Sequence, residues 1–583
     1  MLDYIFVVGT YVAIDLLLAV GMTVVTGLGG MFAISIGAAY GVGAYICGQL
    51  AVHAGLGTIG DLIVAICGSA IFGFILLPLI SRLRSDHLAI GSLALQLIAS
   101  DVFTGWTGGT GGSYGVFGIK ATHVFGLSIS GTGAFFVFCA VIAIIGTAVV
   151  RLFERSKNGI LLRAQRDDEE LALSWGHNPI QVRSYSFLLS SALAGVAGGL
   201  FAFFQGYISP SSFSVNVSLM ILTIIVVGGL GNIWGAVIAT IILVSIPEIL
   251  NLISASSDWV AQVQLMLDGA AVIVMVSIRT GGLLPERPRF QVKRVVPFSG
   301  LRSGSDRDPE GTGENSGQFA TLLEAVPPLG EDSMNRSRVV EVKGLIKEFG
   351  GVHAVDNVSF TLRPGEVTAL IGPNGAGKST TLGLIAGAIH PNGGSVRYGE
   401  QDITGWRSQQ VARARIFRTF QGGRLFNSLN VLENVVVALL GVRISEGFLD
   451  VKNAAEELLV EFGLDYLGNS KAIDLAYAEQ KLVMIAIAVG RGDEVLLFDE
   501  VAAGLDAVTI KAFAPLVKKL ASTGRTVCVV EHNLGFVWDC ADRVIVLDAG
   551  KVIVDDSPEM VRDDPAVAQI YFGGGGVGSG VTS

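Results

Sequence analysis

The run Gly372-Pro373-Asn374-Gly375-Ala376-Gly377-Lys378-Ser379-Thr380 has residue types and spacing that can do chemistry on a phosphate chain. Its glycines let the backbone wrap with N–H groups turned inward. A lysine at this spacing reaches the β- and γ-phosphates, and the serine hydroxyl takes one position on Mg²⁺. Val367-Thr368-Ala369-Leu370-Ile371 reads as the buried strand before the loop, and residues 380–385 as the start of the helix after it. A second apolar run, Val495-Leu496-Leu497-Phe498, ends in Asp499-Glu500 and so sets two carboxylates at the carboxyl edge of the same sheet. Asp499 is expected to hold Mg²⁺ through water, and Glu500 to orient or polarise the attacking water. ATP and Mg²⁺ are the cofactors this chemistry requires.

The elements that position these groups follow from composition. With 583 residues the chain is too long for one domain, and with 51% hydrophobic residues and a mean hydropathy of +0.60 it is too apolar for a soluble one. Residues 1–284 are dominated by long uncharged runs, and the charge density of a cytosolic enzyme begins after about Pro285. The expected fold is multi-domain: a polytopic α-helical membrane domain over 1–284, a flexible Gly/Ser/Pro-rich linker over 285–337, a P-loop α/β domain over 338–572 and a Gly-rich tail over 573–583. As a random coil the linker would span roughly 40 Å. The net charge of −10, with no basic stripe, argues against a nucleic-acid partner. Five scattered cysteines without a C-x-x-C pair suggest neither a disulfide framework nor a zinc site, and the histidines of the first half lie on separate loops.

Nine runs are long enough to cross or deeply enter a lipid bilayer, near 4–26, 31–50, 60–80, 88–104, 127–150, 187–206, 215–230, 235–253 and 259–278. The start, Met1-Leu2-Asp3-Tyr4, lacks a basic n-region and reads as the beginning of a retained span. Asp15, Gln96, Asp101, Glu248 and Asp268 are costly in hydrocarbon and read as helix-packing or bundle-facing groups. Arg82, Arg84, the 151–166 stretch and Arg279 mark cytoplasmic loops, whereas loops 105–118 and 207–215 carry no Lys or Arg. The expected location is the cytoplasmic membrane, with the ATPase on the cytoplasmic side.

Three stretches carry a family resemblance: Ile34 to Tyr45 (ISIGAAYGVGAY), Gly105 to Gly115 (GWTGGTGGSYG), and Tyr207-Ile208-Ser209-Pro210 with Val227 to Gly235 (VGGLGNIWG). They resemble permeases of branched-chain amino-acid ABC transporters over nearly all of 1–284. Within the polar 151–183 segment, Glu170, Ala172 and Gly176 are similar to the E-A-A-x-x-x-G coupling loop of importer permeases, with Leu171 in place of the middle alanine. The resemblance implies a short helix that docks on the ATPase.

In the second half Arg418-Thr419-Phe420-Gln421, Val431-Leu432-Glu433-Asn434-Val435, Ala502-Ala503-Gly504-Leu505 and Glu531-His532-Asn533-Leu534 resemble the ATPase subunits of the same transporters. The resemblance implies Gln421 as a Q-loop residue that contacts Mg²⁺ and water, Asp506 in the D-loop, His532 near the γ-phosphate and Phe349 stacking on adenine. One segment departs from the family pattern. Where that pattern runs near L-S-G-G-Q, this chain has Leu475-Ala476-Tyr477-Ala478-Glu479-Gln480. Ala476 lacks the hydroxyl, Ala478 adds a methyl where glycine permits close approach, and Glu479 brings negative charge toward an anion. Val501 and Ile487 also replace a usual proline and arginine.

Since family members bind ATP between one domain's P-loop and the other's signature, a heteromeric complex with a second permease–ATPase half is expected. The other expected partners are an external substrate-binding protein, a small-molecule solute and membrane lipid. Branched-chain or other small hydrophobic amino acids are the implied solutes. Urea, amides or aromatic acids stay open as alternatives, as does a membrane-anchored regulatory ATPase that moves nothing.

Overall fold

The computed structural model describes residues 2–55, 57–80, 85–119, 123–124, 127–128, 131–253, 260–278, 281–286, 288–292, 325–329, 339–420 and 423–572. Gln421, Arg82, Arg84, Arg279, most of the linker and the 573–583 tail lie outside the described residues, as do the side chains of Glu248 and Asp268. The contacts divide the chain into two compact units, one of Met1–Arg166 with Pro179–Arg287 and one of Asp167–Asn178 with Pro288–Ser583.

In the first unit each of the nine apolar runs is a helix: Leu2–Met22, Ile36–His53, Thr58–Ile80, Ser85–Gly105, Thr132–Glu154, Pro179–Gln205, Val215–Gly228, Ile233–Ile253 and Val260–Ile278. Among the described residues six apolar helical stretches are long and apolar enough to cross a membrane. Small residues set how closely the helices approach. A Cβ on Gly43 would lie 2.5 Å from Gly195 Cα, and one on Gly198 2.2 Å from Tyr40 O, so Ile36–His53 and Pro179–Gln205 meet backbone to backbone. Of the polar groups in the runs, Gln96 is fully buried and donates to Phe213 O at 2.8 Å, whereas Asp101 is exposed. The two uncharged loops meet in one antiparallel pairing of Val116–Phe117 with Tyr207–Ile208. After the last helix, Glu286 ties back to Arg163 and Arg166 at 2.7 Å each.

The second unit is built on a six-stranded sheet in the order Ile416–Arg418, Val495–Asp499, Thr526–Val530, Val367–Ile371, Arg543–Asp548 and Lys551–Asp556. The first five strands are parallel and the last is antiparallel. Val367–Ile371, Val495–Asp499 and Thr526–Val530 are buried at every position, which is why they read as unbroken apolar runs. A four-stranded antiparallel sheet, Val352–Leu362, Val340–Phe349, Gly393–Tyr398 and Gln401–Asp402, precedes and flanks it in sequence.

Two parts of the expected linker differ from a free tether. Arg289 N and Val292 N donate to Glu433 Oε1 (2.7 Å) and Asn469 Oδ1 (2.8 Å), and Leu329 N donates to Thr523 O. Composition could not show this, because the contacts are backbone N–H groups captured by acceptors distant in sequence.

Candidate nucleotide site

Parallel register brings the site together. Asp499 pairs with Val530, and Val530 with Leu370, so the carboxyl ends of three strands lie level. Asp499-Glu500, Glu531-His532 and the loop 372–380 therefore emerge at one sheet edge. Ligands bind at that edge in open α/β sheets.

The loop's glycines are required by shape. Gly375 and Gly377 have φ of +84° and +93°, and a Cβ on Gly377 would sit 2.3 Å from Ala354 O. Lys378 opens the helix Lys378–Ile385, and its Nζ donates to Gly372 O and Pro373 O at 2.8 and 2.9 Å. Burial pushes the Lys378 ammonium below the ordinary lysine value, against the pull of Glu500 and Asp499. Asn374, Gly375 and Ser379 are exposed, while Ala376 packs into the core. Phe349 ends its strand half-exposed, with Lys347 Nζ 5.0 Å above its ring.

Ser379 Oγ donates to Asp499 Oδ1 at 3.2 Å. These two hard oxygens fit Mg²⁺, which keeps water and phosphate oxygens for its remaining positions. Among the described residues no group of three His, Cys, Asp or Glu could hold a metal ion without such help. Arg418 Nη2 lies 3.2 Å from Asp499 Oδ2, and Asp499 N donates to Thr419 Oγ1 at 2.9 Å. Arg418 and Thr419 stand in the quoted motif, but their roles show only when the strands are paired.

Glu500 has a φ of +51°, uncommon for a side chain with a Cβ, and the turn aims it at His532, whose Nε2 is 3.3 Å from Glu500 Oε1. Glu531 is 2% exposed and accepts Ala502 N at 2.6 Å, which braces the strand end; burial raises its pKa. Asp506 caps the helix Ala507–Ser522 by accepting Val508 N and Thr509 N.

At the altered signature, Ala476 N donates to Glu479 Oε2 at 2.8 Å, so the glutamate caps its own helix, Tyr477–Gly490. Gln480 Nε2 donates to Leu475 O at 3.1 Å, and Ala478 is buried. Ile487 and Val501 are both buried.

Asp167–Asn178 belongs to the ATPase unit. It holds a short helix, Glu169–Ser174, capped by Asp168, with Ala172 buried, Glu170 exposed and Gly176 at φ +97°. In the other unit, Tyr45, Gln49, Phe72, Phe103, Trp106 and Gly109 are among the residues around a mainly apolar cavity of about 810 Å³. The buried Tyr45 hydroxyl has no hydrogen-bond partner among the described residues.

Comparison with known proteins gives the family. The family model of the branched-chain amino acid transport system permease component matches residues 4–276, and that of the ABC transporter matches 355–503. Over 249 residues, 40% of this chain, the sequence is 34% identical to the high-affinity branched-chain amino acid transport ATP-binding protein LivG of Escherichia coli, covering 98% of that protein. Identity to the corresponding protein BraF of Pseudomonas aeruginosa is also 34%, with the same coverage. The arginine transport ATP-binding protein ArtM of Bacillus subtilis is 34% identical over 38% of this chain and 92% of its own length. Among solved structures, a nucleotide-free ATP-binding cassette from an ABC transporter is 28% identical over 40% of this chain and 98% of its own, with a TM-score of 0.36. The chain belongs to the ABC transporter family and joins, in one membrane polypeptide, a branched-chain amino-acid-type permease domain to an ATPase domain that couples ATP hydrolysis to transport.

Proposed function

We propose that this chain is one half of an ATP-driven importer that moves branched-chain or other small hydrophobic amino acids across the cytoplasmic membrane. It works with an external substrate-binding protein and pairs with a second permease–ATPase half. The observation that carries this reading is that both halves of the chain, matched separately, lead to branched-chain amino-acid transport proteins. The apolar cavity beside Tyr45 and Gln49 supports a small solute with an apolar body and a polar end.

In the reaction, the 372–380 amides and Lys378 hold the phosphates, and Phe349 offers a half-exposed ring to the base. Glu500 orients water against the γ-phosphate, and His532 fixes the glutamate's carboxyl group from 3.3 Å. Mg²⁺, held by Ser379 and Asp499 and by Gln421 as the family resemblance implies, supplies charge neutralisation on the phosphates when bound. Loop 167–178 carries the resulting movement to the permease through Glu170, Ala172 and Gly176. A regulatory ATPase that moves nothing is the second reading, favoured by Ala476, Ala478 and Glu479.

Labelled-leucine uptake and phosphate release in proteoliposomes decide between them. Uptake that needs ATP, the partner half and the binding protein, and that disappears with Glu500→Gln, is the expected result. Partner-stimulated ATP turnover with no uptake of labelled leucine, isoleucine, valine, alanine or phenylalanine would overturn amino-acid import.

A further inference from the structure

Arg491 and Asp493 form a fully buried ion pair, Nε to Oδ2 at 2.7 Å, with both side chains at 0% exposure. They lie outside the phosphate-binding motifs. Burying two charges is costly unless geometry and further hydrogen bonds offset the lost water, so the destination of the remaining guanidinium donors is informative. Nη1 donates to Trp175 O at 2.9 Å and to Ala438 O at 3.1 Å, and Nη2 to Ala412 O at 3.3 Å. The guanidinium also lies 5.7 Å from the centre of the Phe417 ring.

Trp175 and Gly176 follow the short helix Glu169–Ser174, and the last carbonyls of any helix lack partners within it. Here the ATPase provides them. Arg491 takes Trp175 O, and Arg413 Nε takes Gly176 O at 3.0 Å. Two glycines let the backbones touch: a Cβ on Gly441 would lie 1.7 Å from Trp175 O, and one on Gly176 2.8 Å from Gly441 O. The Trp175 ring is 1% exposed and meets Phe426 edge-on at 4.9 Å. The N-terminal end is held separately: Ser428 N donates to Asp167 Oδ2 at 2.6 Å, and Arg424 Nη1, on a half-exposed side chain, lies 3.3 Å from Asp168 Oδ2.

Arg491 is also the C-cap of Tyr477–Gly490, the 14-residue helix that begins at the altered signature. Such a helix is a rod about 21 Å long. We propose that Arg491 is a positioning residue that fastens loop 167–178 to the far end of the signature helix, so that displacement at Ala476 moves Trp175 and Gly176 as one body with it. The functional readout of this inference rests on the transport reading above. The structural readout does not.

The test uses the full chain in lipid nanodiscs, with R491K and R491M/D493N. Lysine keeps a charge beside Asp493 but lacks the fork that reaches both the carboxylate and Trp175 O. If R491K does not fold, the double variant removes both charges, so that the loss of the donors to Trp175 O and Ala438 O is read without an unpaired buried charge. Hydrogen exchange is expected to quicken about tenfold or more at the amides of Trp175, Gly176 and His177. ATP protection of 372–380 and exchange in Ala507–Ser522, a helix that Arg491 does not bond, should stay as in the parent. With the partner half and binding protein, leucine moved per ATP should fall about tenfold at unchanged KM for ATP. Unchanged exchange at 175–177, a rise throughout the ATPase, or transport and hydrolysis falling in proportion would each overturn the proposal. If the parent assembly moves no leucine, the leucine-import reading fails and the exchange arm still decides the role of Arg491.

Discussion

At the scale of single residues, two side chains with opposite relations to charge give separable predictions. Glu500 is held at a strained φ of +51° with its carboxylate against His532, the arrangement that the proposed water activation needs. Glu500→Gln keeps the shape and removes the base. Phosphate release should fall by about 10²–10⁴-fold, while ATP binding, followed by a fluorescent analogue, stays within about twofold. His177 is buried with Nε2 2.8 Å from Val437 O, and burial, aided by the charges of Arg491 and Arg413, lowers its pKa from 6.5 to about 4. The unfolded chain binds the proton below about pH 6.5 and the folded chain does not until about pH 4. The stability from neutral His177 is therefore present above 6.5 and lost as pH falls toward 4. The full loss would be about 3 kcal/mol, of which about 2 is gone by pH 5. His177→Gln keeps a donor for Val437 O without the titration. The fall in the unfolding temperature between pH 7.5 and 5 should shrink in this variant, and an unchanged fall would show that other groups set the acid limit.

At the scale of elements, the signature helix Tyr477–Gly490 carries a conflict between its own stability and a bound phosphate. Glu479 at the third helical position accepts Ala476 N, which stabilises a helix N-terminus but turns a carboxylate and a satisfied N–H toward the place where an anion would be recognised. Replacing Ala476 by Ser, Ala478 by Gly and Glu479 by Gln restores a hydroxyl, close approach and neutrality. Serine as N-cap adds about 1 kcal/mol, and the glycine costs about as much, so folding should change by less than about 1 kcal/mol. ATP turnover of the chain by itself should rise about tenfold or more. No rise would mean that the substitutions in this segment are not what limits turnover. The nine helices were legible in the sequence from their apolar runs and the phosphate loop from its glycines, whereas this cap was not, because alanine has no side-chain oxygen to mark an N-cap. Arg491 and Asp493 were not legible, because the pair acquires meaning only when loop 167–178 folds against Gly441. Nor was the docking of 288–292, where the sequence shows a polar linker and the structure shows backbone N–H groups accepted by Glu433 and Asn469.

At the scale of the whole molecule, the two ends of the nucleotide chemistry are unequal. The P-loop, Asp499, Glu500 and His532 stand together at one sheet edge, while Ala476, Ala478 and Glu479 offer a neighbouring copy a poor surface for a γ-phosphate. If ATP is bound between one domain's P-loop and another's signature, a dimer of this chain alone has two sites with the same defect. A pair with a second half of intact signature has one sound site, built on this chain's P-loop, and one defective site built on the partner's. Glu500→Gln here should then stop the mixed assembly, whereas the matching change in the partner should cost it little. The chain alone should turn over ATP about a hundredfold or more slowly than the mixed assembly, since loss of one preorganised contact to transition-state charge commonly costs that much. Phosphate release by the purified chain, by the mixed assembly and by each single variant measures all four values. Full turnover by the chain alone, or equal losses from the two single variants, would remove the argument for an unequal pair and leave a symmetric transporter in which the altered signature is tolerated.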